Sequence, residues 1–347
     1  LYTDKGGIAL GFHPDTMYSY LATSGSASEL TYETRVVIPP GESRRIEFIS
    51  YPFAGRWGWR QCVDAYYLHF PDFFHPHPGV DPRVWQGLDS GSVPAKYYHY
   101  HPFPEIYRRG RLTYSWAYGM FKRGGDFYCR QKYWDFECLS DPGQFPAKWS
   151  HETAASYRQR RRELLENGRD ANIAQMFYIS NCCEKTLAET VYPESILRPP
   201  TNFSWSPRTE VTYRVFSGAG TFGRQMHEDI ADLCADNYLS GFAYDSSGGM
   251  GSRRFRGKTM WEIPHVAFDD QGPFVLEGVG IARNIQHMHR TPILDGRFVA
   301  GCKINPGGEH PMPYMMNFAA DNSMIEWPRI HPFDERTRFL VSKHRRL

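Results

Sequence analysis

Apolar and polar positions change rhythm twice along the chain. Up to about residue 52 they run in short β-rich stretches: Gly7-Ile8-Ala9-Leu10-Gly11-Phe12, Leu30 to Ile38, and Arg44 to Tyr51. Pro39-Pro40-Gly41-Glu42-Ser43 separates the last two with turn chemistry. No helical spacing occurs there. Three or four strands are few for a closed sandwich, so this stretch is expected to be the end of a β-sandwich whose earlier strands lie outside the chain. Trp59 to Leu68 then spaces its apolar residues as an amphipathic helix does, and Pro71 stops it. From Phe74 to Tyr100, His, Pro, Gly and aromatic residues follow without period, as a long connector.

From about Leu112 short apolar runs alternate with helical periodicity. Leu112 to Tyr118 predicts a first strand, His151 to Asn167 a helix stopped by Gly168, and Ala174 to Ile179 a second strand. Residues 184–215 are irregular, with a third strand expected near Phe203 or at Thr212-Tyr213-Arg214-Val215. Thr221 to Ala235 predicts a helix with apolar Phe222, Met226, Ile230, Leu233 and Cys234. Phe242 to Tyr244 is the expected fourth strand, Val275 to His289 a helix, and Arg297 to Lys303 a fifth strand. Met312 to Ala320 is helical, Ser323 to Glu326 a sixth strand, and Arg338 to Ser342 begins a seventh. Such alternation points to a parallel α/β architecture.

One stretch in that order carries conspicuous chemistry. Gly241-Phe242-Ala243-Tyr244 is a short apolar run that ends abruptly in Asp245 and then in small residues and glycines. A parallel strand buried on both faces has this form, and in a (β/α)8 barrel a carboxylate at such a strand's C-terminal end stands in the active-site mouth.

Composition narrows the function classes. The net charge of +2 gives no global case for nucleic acid, and no run approaches the roughly 18 apolar residues of a membrane span. Aromatics reach 16%, with 22 Tyr, 23 Phe and 9 Trp, enough both to fill a core and to stack on sugar faces. Seven cysteines form no metal-ligand spacing. Cys129 and Cys138 could close a small loop, and Asn202-Phe203-Ser204 is a glycosylation sequon, so an extracellular or cell-surface location is expected. The histidines of His75-Pro76-His77-Pro78 and His99-Tyr100-His101-Pro102 lack companions to complete a zinc site, so no metal is expected. No cofactor is expected either. Gly218-Ala219-Gly220-Thr221-Phe222-Gly223 fits a G-x-G-x-x-G string ahead of a helix, but no acidic residue closes a dinucleotide unit, and a phosphate or sulfate on that helix N-terminus is the better match. A serine-hydrolase elbow of the form G-x-S-x-G is missing.

Gly6-Gly7-Ile8-Ala9-Leu10, Pro39-Pro40-Gly41-Glu42-Ser43, Tyr51-Pro52-Phe53, Trp57-Gly58-Trp59-Arg60 and Tyr66-Tyr67 with Phe70-Pro71-Asp72-Phe73-Phe74 follow one another in an order that resembles a group of large glycoside-hydrolase-like proteins. The resemblance implies an N-terminal β-sandwich feeding a (β/α)8 TIM-like barrel. It implies a fourth strand ending in Gly-x-x-x-Asp, matched by Gly241 to Asp245, and a sixth ending in Glu after an earlier Asp, matched by Asp321 and Glu326. The Asn-Gly expected after the fifth strand is here Asn305-Pro306-Gly307. The chain then divides into 1–55, the C-terminal part of a β-sandwich; 56–110, a helix and long connector; and 111–347, the barrel. The barrel would lack its last strands, so a homo-oligomer or a missing C-terminal segment is implied.

Glycosidic cleavage needs two carboxyl groups across the bond, one donating a proton to the leaving oxygen and the other attacking carbon or activating water. Asp245 is the expected nucleophile or base and Glu326 the acid. Trp116, Tyr118, Asn181, Trp205, Lys303 and Asn305 are the expected substrate-binding residues, for sugar faces, hydroxyls or an acidic group. The predicted function is a glycoside hydrolase acting on a complex, including acidic, polysaccharide or glycan. A carbohydrate-binding or structural protein that keeps the barrel without turnover is the alternative. A polysaccharide lyase using Tyr118 or Lys303 is a third reading.

Overall fold

The structure, a computed structural model, describes residues 3–14, 16–26, 28–71, 114–117, 166, 170, 174–179, 182–200, 202–203, 212–236, 241–244, 253–290, 300–304 and 322–325. The chain begins with strand β1 (Gly6–Phe12), the hairpin β2 (Leu21–Gly25) and β3 (Leu30–Thr34), and β4 (Phe48–Ala54). β1 and β4 pair antiparallel, Gly6 opposite Ala54 and Phe12 opposite Phe48. Along β4 the exposure alternates residue by residue: Tyr51 and Phe53 are buried, while Phe48, Ser50, Pro52 and Ala54 face outward. That period of two is the signature of a half-buried strand. Helix α1 (Trp59–His69) covers the inner face, laying Cys62, Ala65 and Tyr66 against Ala9, Tyr51 and Phe53.

The parallel strands form a single sheet. Strands β5 (Tyr114–Ala117), β6 (Ala174–Ile179), β10 (Gly241–Tyr244), β14 (Ala300–Ile304) and β15 (Asn322–Ile325) lie side by side in chain order, every neighbouring pair parallel. Strand order that follows chain order, without reversal, is the arrangement of a singly wound sheet; a doubly wound sheet has a switch point where the order turns back.

The strand count differs from the expectation. β6 pairs directly with β10, Phe177 opposite Phe242. No third strand from residues 184–215 comes between them. Asn202–Phe203 (β8) and Thr212–Arg214 (β9) instead join Cys182–Glu184 (β7) in an antiparallel sheet of their own. Gly241–Tyr244 is therefore the third strand of the parallel sheet among the described residues, and the strands leading to Asn305 and Glu326 are its fourth and fifth. Val275 is likewise not helical. It belongs to β13 (Gly272–Leu276), which lies between β11 (Arg254–Phe255) and β12 (Ala267–Asp269). The expected segments His151 to Asn167, Met312 to Ala320 and Arg338 to Ser342 fall almost wholly outside the described residues.

Two long insertions leave the C-terminal ends of parallel strands. The first runs from β6 through β7, the short helix α2 (Lys185–Thr190), a 3-10 turn at Pro193–Ser195, β8 and β9 to helix α3 (Gly220–Asp236). The second runs from β10 through β11, a 3-10 turn at Lys258–Glu262, β12 and β13 to helix α4 (Glu277–Arg290). They pack on each other around Phe216, Phe222, Phe255 and Phe274, all fully buried. Each such side chain contributes about 1.5–3 kcal/mol of burial. The first half of α4 is buried on every side from Glu277 to Ala282, as the helix of an interior is.

Candidate functional site

In a parallel sheet all C-terminal strand ends point the same way, so candidate chemistry after any strand gathers at one edge. Trp116 lies within β5, opposite Met176 of β6, and Lys303 within β14, opposite Met324 of β15. The remaining expected site residues, Asp245, Glu326, Tyr118, Asn181, Trp205 and Asn305, lie outside the described residues. Four of them are the next residue in sequence after a described strand: Tyr118 after Ala117, Asp245 after Tyr244, Asn305 after Ile304 and Glu326 after Ile325. Asn181 falls between β6 and β7.

The side-chain geometry that the described residues give belongs to the two insertions. Arg214 at the end of β9 and Glu277 in the first turn of α4 form an ion pair at 3.9 Å, with 2% and 0% of their side chains exposed. A pair this deeply buried is strongly coupled, because either charge alone in that setting would be costly. Phe216 and Phe255 stack at 4.5 Å with their rings 6° from parallel. Backbone hydrogen bonds from Phe216 N to Ser195 O at 2.7 Å and from Glu277 N to Arg253 O at 2.8 Å close the same core. Segments between the N-terminal strands dock here as well. Leu276 N donates to Ser19 Oγ at 3.2 Å, Val37 N donates to Val266 O at 2.7 Å, and the rings of Tyr18 and His265 lie 4.9 Å apart.

The glycine string 218–223 is explained by packing. A Cβ on Gly218 would stand 2.5 Å from the Cα of Gly280 on α4, and one on Gly223 would stand 2.7 Å from Ser217 O. Gly220 has φ of 76°, the left-handed region that suits glycine. The N-terminus of α3, where a phosphate or sulfate was expected, already faces a carboxylate: Gly220 N donates to Glu262 Oε2 at 3.2 Å, and Arg224 reaches the same oxygen at 3.2 Å. Asp269 sits in β12 and accepts from Arg254 and Arg256. Glu277 does occupy the first turn of α4.

A further polar cluster was not anticipated. Asn284, fully buried, donates from Nδ2 to Ser217 Oγ at 2.5 Å, and its Oδ1 lies 2.8 Å from Nε2 of His227 on α3. His227 stacks on His287 with centroids 3.7 Å apart and rings 7° from parallel. Burial, and next the neighbouring His287, push His227 down to about 4. A signal existed in the sequence: positions 280, 284 and 287 are spaced i, i+4, i+7 along α4 and so share one face. Among the described residues, no group of three or more His, Cys, Asp or Glu is placed to hold a metal ion, and no helix is long and apolar enough to cross a membrane. Of the loop histidines considered for zinc, none lies among the described residues.

No protein-family model and no curated protein matches this chain. Solved structures similar to it include a cycloisomaltooligosaccharide glucanotransferase of Paenibacillus sp., 11% identical over 89% of this chain and 45% of that one, with a TM-score of 0.45. An alpha-galactosidase of Geobacillus stearothermophilus is 11% identical over 97% of this chain and 44% of that one, with a TM-score of 0.48. An alpha-L-fucosidase isoenzyme of Paenibacillus thiaminolyticus is 12% identical over 77% of this chain and 47% of that one, with a TM-score of 0.35. The chain thus spans less than half the length of each of the three.

Proposed function

We propose that this chain carries the catalytic edge of a glycoside hydrolase acting on a complex polysaccharide or glycan, acidic ones included, built on a (β/α) barrel. The observation that supports this reading is strand order. β10 and β15 run parallel with only β14 between them, and each is followed in sequence by a carboxylic acid, Asp245 after Tyr244 and Glu326 after Ile325. Strands two apart in a sheet are separated by roughly 10 Å. Side chains leaning inward from two such strand ends can close that gap to the roughly 5–10 Å that glycosidase carboxyl pairs use. On this reading Asp245 is the nucleophile or base and Glu326 the proton donor. Trp116, Tyr118 and Trp205 offer faces for sugar rings, and Asn181 and Asn305 offer amides for hydroxyls. Lys303, in the strand between the two acids, offers a cation for a carboxylate or sulfate on the sugar.

The test is a screen of neutral, carboxylated and sulfated glycans for release of reducing ends, repeated with Asp245→Asn and Glu326→Gln. Each variant is expected to lose about 10²–10⁴-fold in turnover while the fold survives. Lys303→Gln is expected to weaken only the acidic substrates. Full activity in Asp245→Asn would sink the assignment. Unsaturated products from a uronate-containing glycan would move the reaction to a lyase. Binding of a glycan with no cleavage would leave a carbohydrate-binding protein.

A further inference from the structure

We propose that Tyr178 is a positioning residue of the hydrolysis, a phenol that orients the carboxylate of Asp245 and keeps it ionised. The proposal rests on the reading of Asp245 and Glu326 as the reacting acids. Its support is the register of the parallel sheet. Residues alternate between the two faces along a strand, and register partners share a face. Phe177, Ile179, Phe242, Cys302, Ile304 and Ile325 lie on one face. The polar positions that interrupt it, Ser115, Gln175, Tyr244 and Ser323, carry no charge. Trp116, Tyr178, Lys303 and Asn322 lie on the other face. Among the described residues of the five strands, Lys303 is the one with a charged side chain. One face thus suits packing, and the other carries the groups that a polar ligand needs.

Counting on from that register gives each expected acid a place. Tyr244 is paired with Cys302, so the next residue, Asp245, counts to the level of Lys303. Ile325 is paired with Ile304, so Glu326 counts to the level of Asn305. Both acids therefore count onto the face of Lys303 and Tyr178. Tyr178 is paired with Ala243, two residues before Asp245. Neighbouring strands lie about 4.8 Å apart and two residues advance about 6.6 Å, so the Cα atoms on that diagonal are about 8 Å apart. Aromatic side chains bridge a diagonal of this size. The residue at its corner is Ala243, whose side chain is a single methyl group. A phenol is a neutral donor at ordinary pH. Donation to a carboxylate favours the charged form and limits its rotation. An acid that attacks carbon or takes a proton from water needs both, whereas the acid that protonates the leaving oxygen must keep its proton. β6 is next to β10 but three strands from β15. The phenol therefore serves Asp245 and not Glu326, and such an asymmetry sets the roles of two carboxyl groups apart.

The experiment measures kcat, KM and the pH profile of kcat/KM on a glycan that the screen finds cleaved. It compares the native chain, Tyr178→Phe, Asp245→Asn and the double variant. Tyr178→Phe keeps the ring and loses only the hydroxyl. It should lower kcat about 10–100-fold, the effect of one hydrogen bond to a charged group. KM should stay within about threefold, because the interaction lost is not one with bound substrate. The acid limb of kcat/KM should move to higher pH, because the carboxylate then takes up a proton more readily. The loss should be equal on neutral and acidic glycans, in contrast to Lys303→Gln. Added to Asp245→Asn, the change should cost less than about threefold further, since residues that act together are not additive. Native turnover in Tyr178→Phe, or a loss with the acid limb unmoved, overturns the proposal and leaves the reading of the two acids intact. Full activity in Asp245→Asn, or no glycan cleaved at all, removes that reading and this proposal with it. Should Tyr178→Phe fail to fold, Tyr178 is replaced by 3-fluorotyrosine, a stronger donor of nearly the same shape. The acid limb should then move to lower pH, and an unmoved limb overturns the proposal.

Discussion

Two parts of this molecule solve the same packing problem with opposite chemistry. Where α1 lies on β1 and β4, the core is aromatic and its polar atoms are phenols. Tyr51 donates to Cys62 O at 3.1 Å, Tyr32 donates to Leu10 O at 3.0 Å, and Tyr66 donates to Phe12 O. Where α3 meets α4 and β9, the interior contains an ion pair, a buried amide, a buried hydroxyl and two imidazoles. A phenol hides in a core at little cost because it is neutral at ordinary pH and needs only one acceptor. A guanidinium and a carboxylate hide only together. The first unit should therefore tolerate single substitutions by size alone, and the second should fail whenever one member of a pair is removed.

The largest expected effect follows from that contrast. Arg214→Met removes the guanidinium paired with the buried carboxylate of Glu277 and should cost about 3–5 kcal/mol in denaturant unfolding. The double variant Arg214→Met with Glu277→Leu should recover most of the loss, because no charge then remains to be buried. A matched change in the aromatic unit, Phe53→Ala, should cost about 3–5 kcal/mol as well, but through the cavity it leaves. No second substitution nearby should rescue it in the same way. Equal behaviour of the two double-mutant tests would erase the distinction between the units. Gly280→Ala comes next. Its Cβ would fall 2.8 Å from the backbone nitrogen of Gly218. Overpacking of this kind costs about 1–3 kcal/mol.

The parallel strands were readable because strands buried on both faces are plain apolar runs, and Ala174–Ile179 and Gly241–Tyr244 both have that form. α1 was readable from its spacing and from Pro71. β9 resisted because it ends in Arg214, a residue type expected at the surface, whose buried partner lies far along the chain at Glu277. Its placement mattered for the candidate site, because taking Thr212 to Val215 as a parallel strand shifts the strand count for Asp245 and Glu326. The strands that precede them in sequence, β10 and β15, have only β14 between them. β13 was absorbed into α4 because Val275-Leu276 runs into the helix without a polar break, and the boundary is made by pairing with β11 and β12. The Gly-x-Gly-x-x-Gly string read as a ligand motif because glycine spacing alone does not distinguish a backbone approaching a phosphate from one approaching another helix.

The two units should also fail at opposite ends of the pH scale. His227 titrates lower in the folded chain, about 4, than its ordinary 6.5, so folding favours its neutral form. That contribution is complete above pH 6.5 and is lost as pH falls from there towards 4. It amounts to about 1–2 kcal/mol once the partial exposure of the ring is counted. Tyr51 and Tyr66 are pushed up from 10, chiefly by burial, so folding favours their neutral form too. Their contribution is complete below pH 10 and is lost as pH rises above it. Acid should therefore loosen α3 and α4 first, and alkali should loosen β1, β4 and α1 first. Site-resolved exchange at pH 4.5 and at pH 10.5 checks the order. Loss of both units together at either extreme would mean that they unfold as one and that the chemical contrast has no local consequence.

The smallest effect separates a carboxylate at a helix end from one on an open surface. Glu262 accepts from the Gly220 amide at the start of α3 and from Arg224. Its charge meets the positive end of the helix dipole as well as a partner that is itself largely exposed, so Glu262→Gln should cost about 0.5–1 kcal/mol. Near the N-terminus, Glu33 pairs with Arg35 and Glu47 with Arg45, both largely in solvent and neither at a helix end. Glu33→Gln and Glu47→Gln should each change stability by under about 0.5 kcal/mol. Raising salt should shrink the Glu262 effect by screening Arg224 but leave the amide hydrogen bond in place. If the Glu262 effect vanishes entirely at high salt, the carboxylate acts on Arg224 alone, and the N-terminus of α3 regains its standing as a candidate anion site.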